Sequence, residues 1–341
     1  MGQGATHLNK KLRWGIAGLG NIAHRFVKDL TRYVDNAELY AVAARDEERA
    51  SSFSNQYGCT VSYGSYLELA SDANVDAVYI ATIHPFHKDL VELFLSKGKH
   101  VLVEKPAFTN VKDWDAMTAL ANDKGVLLAE AMKTVAFPAY QMMKQFIHDN
   151  NISIDSVEAS FGNWHEFDGN WHLFNPDLSG GATLDVGVYG LWLYADLCQL
   201  TNSMLSRPRA EYTNDNSQSE VDENVTFIFE GDMAGTIGAS ITRDLKREAV
   251  ILGTELEILI HGKWWNPTTI DITYKGEFHQ INMPVRGGGF EYEIEHISSV
   301  LLSHKRHSDI MRHETSRQVI GMLEQSLVEN GYDYLANPYA R

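Results

Sequence analysis

Through residue 130, short apolar runs alternate with stretches whose apolar positions recur at helical spacing. Leu12–Ala17 reads as a strand followed by a glycine turn, a helical stretch runs to about Tyr33, and Glu38–Ala43 is the next strand. Asp46 is placed to cap a helix that Gly58 ends, and Ser65 with Glu68 three residues on forms a capping box. Ala77–Ala81 reads as a buried strand, and Pro85 opens a helix closed at Gly98. His100–Val103 is a further strand, Asn110 caps a helix ending before Gly125, and Val126–Ala129 is the last strand of this half. Strands alternating with helices predict an α/β fold with a doubly wound parallel sheet.

The second half has another grammar. After a helix near Ala139–Asn150 come strands at Ile154–Phe161, Val221–Glu230, Ala234–Thr242, Glu255–His261, Ile270–Tyr274 and Phe278–Asn282. One helix interrupts them after Gly180-Gly181, and Gly287-Gly288-Gly289 precedes two closing helices, Phe290–Ser303 and His313–Asn330. Strands at hairpin spacing predict an α+β domain with a large, mostly antiparallel sheet and helices on one face. The boundary falls near Glu130, giving expected domains 10–130 and 131–341.

Composition narrows the function classes. The 341 residues are 44% hydrophobic and 22% charged, which excludes a disordered or fibrous chain, and their formal net charge of −16 repels phosphate backbones and anionic lipid. Nucleic acid and membrane partners are therefore not expected, and a small-molecule substrate is. Cys59 and Cys198 cannot make a disulfide framework and read as reduced core residues of a cytoplasmic protein. No apolar run is long enough to span a bilayer, and the first residues carry no signal-peptide pattern. Met1–Thr6 matches the loose myristoylation pattern, but with no second membrane signal nearby it reads as coincidence or a tail.

Gly18-Leu19-Gly20-Asn21-Ile22-Ala23 stands between the first strand and the first helix. The first glycine permits a tight turn, the second lets backbone amides reach a pyrophosphate, and Ala23 allows close helix–strand packing. Dinucleotide binding is the leading reading, with adenosylmethionine as the competing ligand. At the end of the second strand, where an NAD site usually carries an acid, the chain reads Ala43-Ala44-Arg45-Asp46. Arg45, with Arg49 a turn later, suits a 2′-phosphate and favours NADP, with NAD the alternative, since Asp46 could still reach a ribose. Glu104-Lys105-Pro106 follows a strand at the ligand-binding edge of such a sheet. Lys105 there could exchange a proton with a substrate oxygen if burial and a cationic nicotinamide lower its pKa. Asp185 and Tyr189, at i and i+4 after Gly180-Gly181, would share one helix face and orient a substrate hydroxyl.

Gly18-x-Gly20-x-x-Ala23, Glu104-Lys105-Pro106 and Gly180-Gly181-x-x-x-Asp185-x-Gly187-x-Tyr189 together resemble the Gfo/Idh/MocA oxidoreductases from about Leu12 to the last helix. Ala43-Ala44-Arg45-Asp46, His84-Pro85-Phe86-His87-Lys88 and Glu130-Ala131-Met132 look most like the branch of dihydrodiol dehydrogenase and NADP-dependent xylose dehydrogenase. The resemblance implies a Rossmann domain, an open-faced second sheet, and an active site between them. It implies that Lys105, Asp185 and Tyr189 are catalytic. It puts Gly18, Leu19, Gly20, Asn21, Ile22, Arg45, Thr82, His84, His87, Glu104 and Lys105 at the cofactor, the Pro85-Phe86-His87 turn beside the nicotinamide. Lys133 and His172 stand where relatives carry Trp and often Arg, so both are expected at the substrate beside Asp185 and Tyr189, and the substrate itself stays open among sugars, polyols and trans-diols.

His84 with His87, Trp164-His165-Glu166, and His304 with His307 lack metal-site spacing, and no metal is assigned. The expected protein is an NADP-dependent dehydrogenase or reductase acting on CH–OH groups, with a silent dinucleotide-binding regulator as the rival. Val225, Phe227 and Phe229 alternate as one buried face, with Ile228 and Leu259 opposite, which suggests a homodimer through the second sheet.

Overall fold

The computed structural model describes residues 10–338, so the myristoylation-like pattern at Met1–Thr6 lies outside the described residues. The first sheet is parallel in the order β3-β2-β1-β4-β5-β6: β1 Leu12–Ala17, β2 Ala37–Ala43, β3 Val61–Tyr63, β4 Ala77–Ile80, β5 His100–Glu104 and β6 Leu128–Ala131. Helices α1 Asn21–Tyr33, α2 Glu47–Tyr57, α3 Tyr66–Ser71, α4 His87–Ser96 and α5 Val111–Lys124 connect the strands. The local signals work as read. Asp46 accepts from the Arg49 N–H at 2.9 Å, Asn110 from the Asp113 N–H at 2.9 Å, and Gly58 and Gly125 close their helices in the left-handed region.

One strand was missed and one boundary differs, each for a physical reason. β3 is three half-buried residues, too short to leave a period-two pattern. β6 starts at Leu128 rather than Val126, because the Val126 N–H still serves the end of α5 by donating to Ala121 O, and the Leu127 N–H donates to His100 Nδ1. The shift of two residues preserves the strand's faces and carries Glu130 into the strand end.

The second sheet has eight strands in the order β14-β13-β12-β11-β7-β10-β9-β8, antiparallel except where β7 and β10 pair. They are β7 Ser156–Gly162, β8 Arg209–Thr213, β9 Asn224–Phe229, β10 Ala234–Ser240, β11 Ala249–Gly253, β12 Leu256–Ile260, β13 Thr269–Tyr274 and β14 Glu277–Asn282. Sequence reading missed β8, a polar edge strand, and β11. Helix α6, Pro138–Asp149, and α7, Val188–Thr201, cover the inner face. α7 is buried almost all round, as a helix between two layers must be apolar all round. Its one buried charge, Asp196, accepts from Tyr140 at 2.9 Å, Lys144 at 2.8 Å and Arg312 at 2.7 Å. The Val225–Phe229 alternation is spent inside the molecule, with Phe229 stacked on Tyr194 of α7.

The chain then returns to the first sheet. Asp29 of α1 accepts from the Gly288 N–H at 2.8 Å and the Phe290 N–H at 3.1 Å, which fixes the entry to α8, Phe290–Leu302. α8 packs on α1, α9 (His313–Glu329) packs on α7 and α5, and α10 (Asp333–Ala336) closes on α9. No helix among the described residues is long and apolar enough to cross a membrane.

Candidate active site

The glycine turn sits between β1 and α1. Gly18 has φ +89°, and a Cβ there would come within 2.7 Å of Thr82, so only glycine fits. Gly20 opens on empty space at the start of α1, whose first turn carries no acid and no side-chain cap. Free amides at a helix N-terminus facing open space are a pyrophosphate cradle. Thr82 Oγ1 is buried beside it without a partner, another group that suits a ligand. Leu19, Gly20, Asn21 and Arg49 line a hollow next to the turn, and Arg49 Nη2 donates to Leu19 O at 2.6 Å. Arg45 instead lies 5.7 Å from the Phe86 ring. Arg49, read from the sequence beside Arg45, is thus built into the loop. Asp46 is occupied as the cap of α2.

Beyond the turn, a cleft of about 340 Å³ opens at the carboxyl ends of β5 and β6, where open α/β sheets bind ligands. A larger hollow of about 680 Å³ lies at the opposite, amino-terminal ends of the strands, around Asn36, Asp76 and His100, and none of Lys105, Asp185 and Tyr189 lines it. The chemistry therefore belongs to the smaller cleft. Glu104, Lys105, Lys133, Asp185 and Tyr189 line it, together with Ile22 of the glycine turn.

Lys105 Nζ donates to Asp185 Oδ1 at 3.1 Å and to the Asp185 carbonyl at 2.6 Å, and stands 5.1 Å from the Tyr189 ring centroid. The helix face read from the sequence begins as a wider π turn, Thr183–Gly187, which then runs into α7. Gly181, at φ +113°, starts it, because a Cβ there would strike the Asp222 carboxylate. Asp222, which sequence reading missed, is fully buried; its Oδ2 accepts from the Thr183 N–H at 2.7 Å and its carbonyl from the Ala182 N–H at 2.8 Å. Burial pushes its carboxyl up to about 7.

The expected lowering of the Lys105 pKa does not occur in this state. Burial alone would lower it, but the Asp185 carboxylate, with Tyr189 and Glu104, outweighs burial and raises it above the ordinary lysine value. The same pairing holds Asp185 below the usual carboxylate range against its own burial, and burial pushes the Tyr189 phenol up to about 12. Lys105 is therefore an ammonium in this state.

Glu104 accepts from Tyr79 Oη, and its other oxygen accepts from the Lys105 N–H at 3.2 Å; burial raises its pKa, and these donors offset part of the rise. His87 is fully buried, with Nδ1 3.1 Å from Pro106 O and Ala107 O and Nε2 2.9 Å from Thr82 O. It braces the turn carrying Lys105 and presents no free atom to the cleft. His84 lies edge-on to His87 at 6.2 Å, and burial, with His87 and Lys105, lowers its pKa to about 3. His172 is exposed, stacks edge-on against Trp171, and is not part of the cleft lining. The opposite wall is aromatic: Tyr189 meets Phe161 at 5.5 Å, and Phe161 stacks on Trp265 at 3.5 Å. Arg25, Asn163, Arg247, Lys263, Trp265, Asn266 and Phe290 complete it, none of them marked by a sequence motif. Among the described residues no cluster of three or more metal-ligating side chains occurs.

The family model described as an oxidoreductase family with an NAD-binding Rossmann fold matches residues 12–132. A trans-1,2-dihydrobenzene-1,2-diol dehydrogenase of Xenopus tropicalis is 30% identical over 336 residues, covering 94% of this chain and 99% of its own. Two solved structures share the fold over 94% of this chain and 98% of theirs. An aldose-aldose oxidoreductase from Caulobacter crescentus has a TM-score of 0.82 at 20% identity, and a 3-ketoreductase from Actinomadura kijaniata, in complex with NADP and TDP-benzene, has 0.80 at 21%. A glycine turn at a helix start, a Lys105–Asp185 pair at the carboxyl edge of the parallel sheet, and a full-length relative agree: this chain belongs to the Gfo/Idh/MocA oxidoreductase family.

Proposed function

We propose that the chain is an NADP(H)-dependent dehydrogenase or reductase of a small sugar, polyol or trans-diol. In this reading residues 10–130 hold the dinucleotide and 131–341 supply most of the substrate wall. The observation that carries it is the grouping of Lys105, Asp185 and Tyr189 in one cleft beside the glycine turn. A silent binder has no use for a buried ammonium paired to a carboxylate at that edge.

The Gly18–Ile22 backbone would hold the pyrophosphate, with Arg45 and Arg49 at the ribose phosphate. Nicotinamide, when bound, supplies or accepts the hydride. The chain's own residues handle the proton. In reduction, Lys105 Nζ donates to the substrate carbonyl oxygen as negative charge grows there, and Tyr189 Oη hydrogen-bonds to the same oxygen. Asp185 keeps Lys105 protonated and accepts from a neighbouring substrate hydroxyl. In oxidation the substrate hydroxyl must displace Asp185 from Lys105, and the ammonium must release a proton to solvent, before Nζ can accept the hydroxyl proton. Glu104 fixes the turn carrying Lys105 through that residue's N–H, and Phe161 and Trp265 exclude water from one side.

We further propose a cytoplasmic homodimer formed on the outer face of the second sheet. Ile228, Val250 and Leu259 are half-buried there, and Leu252 is 42% exposed. Light scattering at micromolar concentration should give twice the chain mass, and a monomer would remove this part. The activity is tested by NADPH fluorescence titration and by following nicotinamide absorbance with sugars, polyols and trans-diols in both directions. Tight NADPH binding with no absorbance change for any compound would favour the silent regulator.

A further inference from the structure

Five cations line the cleft, Arg25, Lys105, Lys133, Arg247 and Lys263, against two acids, Glu104 and Asp185, in a chain whose net charge is −16. Lys105 and Asp185 neutralise each other. Arg25 belongs to α1, the helix that the glycine turn opens. Lys133, Arg247 and Lys263 remain.

Lys133 is the informative one. It is 7% exposed and makes no hydrogen bond or ion pair among the described residues. Its Nζ stands 4.5 Å from the Phe290 ring centroid, and Arg25 sits 5.5 Å from the same ring. A buried ammonium without a counter-ion is unfavourable. Burial and Arg25 accordingly pull Lys133 down to about 8, against the opposing charges of Glu293, Glu104 and Asp29. Those acids do not close on it. Glu104 is bonded to Tyr79 and Asp29 to the Gly288 and Phe290 amides; both oxygens of Glu293 are buried without a partner, and burial and Glu104 push its carboxyl far up. Nor does Lys133 lie at the pyrophosphate cradle. Its backbone follows β6, three strand spacings from β1, roughly 14 Å, and it does not line the hollow at the glycine turn.

The remaining cations face it from the second sheet. Arg247 and Lys263 flank β11 and β12 and are joined through the Trp264 N–H to Arg247 O at 3.0 Å. Arg247 Nη2 donates to Asn163 Oδ1 at 2.9 Å, and its pairing with Asp244 is exposed and long at 3.9 Å. Asn266 Oδ1, in the same wall, is a buried acceptor with no donor.

We propose that the substrate is anionic: a small polyhydroxy compound whose carboxylate or phosphate is held by Lys133, with Arg247 and Lys263 opposite and a hydroxyl donating to Asn266 Oδ1. The cleft volume, shared with the nicotinamide end of the cofactor, suits a compound of monosaccharide size. This deepens the oxidoreductase reading and rests on it for the identity of the cleft.

The test is calorimetric titration of the NADPH-saturated protein with glucuronate, glucose 6-phosphate and glucose. Charge-assisted bonding should make one of the two anions bind about tenfold or more tighter than glucose. A lead for glucuronate assigns a carboxylate, and a lead for glucose 6-phosphate a phosphate. Lys133→Met should bring the ratio to near parity while NADPH still binds, which reports an intact fold; Arg247→Gln, at an exposed position, should reduce the ratio independently. Equal affinities for anions and glucose, or a preference that survives in both variants, would overturn the proposal. Hydride transfer read in the same samples separates the two readings. An anion preference without transfer to any compound leaves the anion site standing and removes the oxidoreductase assignment. Transfer with glucose but no anion preference does the reverse.

Discussion

Glu130, next to last in β6, is fully buried. Its Oε1 accepts from the Ala107 N–H at 2.9 Å, and its Oε2 from Trp192 Nε1 at 2.7 Å and Ser316 Oγ at 2.8 Å. One carboxylate thus joins the turn after Lys105-Pro106 to α7 and α9. Glu130→Leu preserves much of the volume and strands three donors. At about 1–3 kcal/mol for each unsatisfied buried donor, the loss is about 3–9 kcal/mol. Against a whole-domain stability of about 5–15 kcal/mol, that variant should be near unfolding at room temperature. Glu130→Gln separates charge from geometry. Its carboxamide oxygen can still accept from Trp192 and Ser316, but its NH₂ then meets the Ala107 N–H. One donor is stranded, partly offset because a neutral amide escapes the burial cost that raises the Glu130 pKa. The Gln variant should lose about 1–3 kcal/mol. Urea denaturation midpoints, followed by tryptophan fluorescence, measure both losses. A Leu variant within about 1 kcal/mol of the parent would refute the reasoning, since no count of three buried bonds permits it.

Further outcomes follow from the same geometry. Arg45→Ala should erase most of a preference for NADPH over NADH of about 10–100-fold, the size of one charge-assisted contact; equal titration curves in the unmutated protein would sink the idea. Lys105→Met should lower turnover by roughly 10²–10⁴ with little change in NADPH affinity, and a variant keeping half its rate would move the proton to Tyr189. The Asp222 carboxyl is raised to about 7 in the folded chain, so its contribution to stability is complete below the unfolded value and is lost as pH rises through 7. Asp222→Asn removes this titration, so the parent should lose more melting temperature than the variant between about pH 5 and pH 8; parallel slopes would refute it.

Much of the first half was legible because its signals are short-ranged. Asp46, Asn110, Gly58 and Gly125 act within one helical turn of themselves, and each does what its position predicts. The glycine turn was equally legible, since the conformation of Gly18 and the opening at Gly20 depend on the strand and helix that flank them. The second sheet was less so. β8 is an edge strand with only two of its five residues partly covered; in the first sheet, β6 began two residues late because the end of α5 claimed the Val126 amide.

The sequence by itself determined the alternation of layers, the dinucleotide turn, and the identity of Lys105, Asp185 and Tyr189 as the residues worth watching. Only the tertiary structure decided their chemical state. Lys105 is held as an ammonium, with its pKa raised rather than lowered, because its partner, Asp185, comes from eighty residues away. His87 is a brace because three backbone carbonyls close around it. Lys133 lacks a counter-ion because Phe290 of a closing helix covers it, and Arg247 and Lys263 reach its cleft from another sheet. Caps and turns are fixed by neighbours in the chain. A charge takes its pKa from whatever folding packs around it, and that is set by burial and long-range contact.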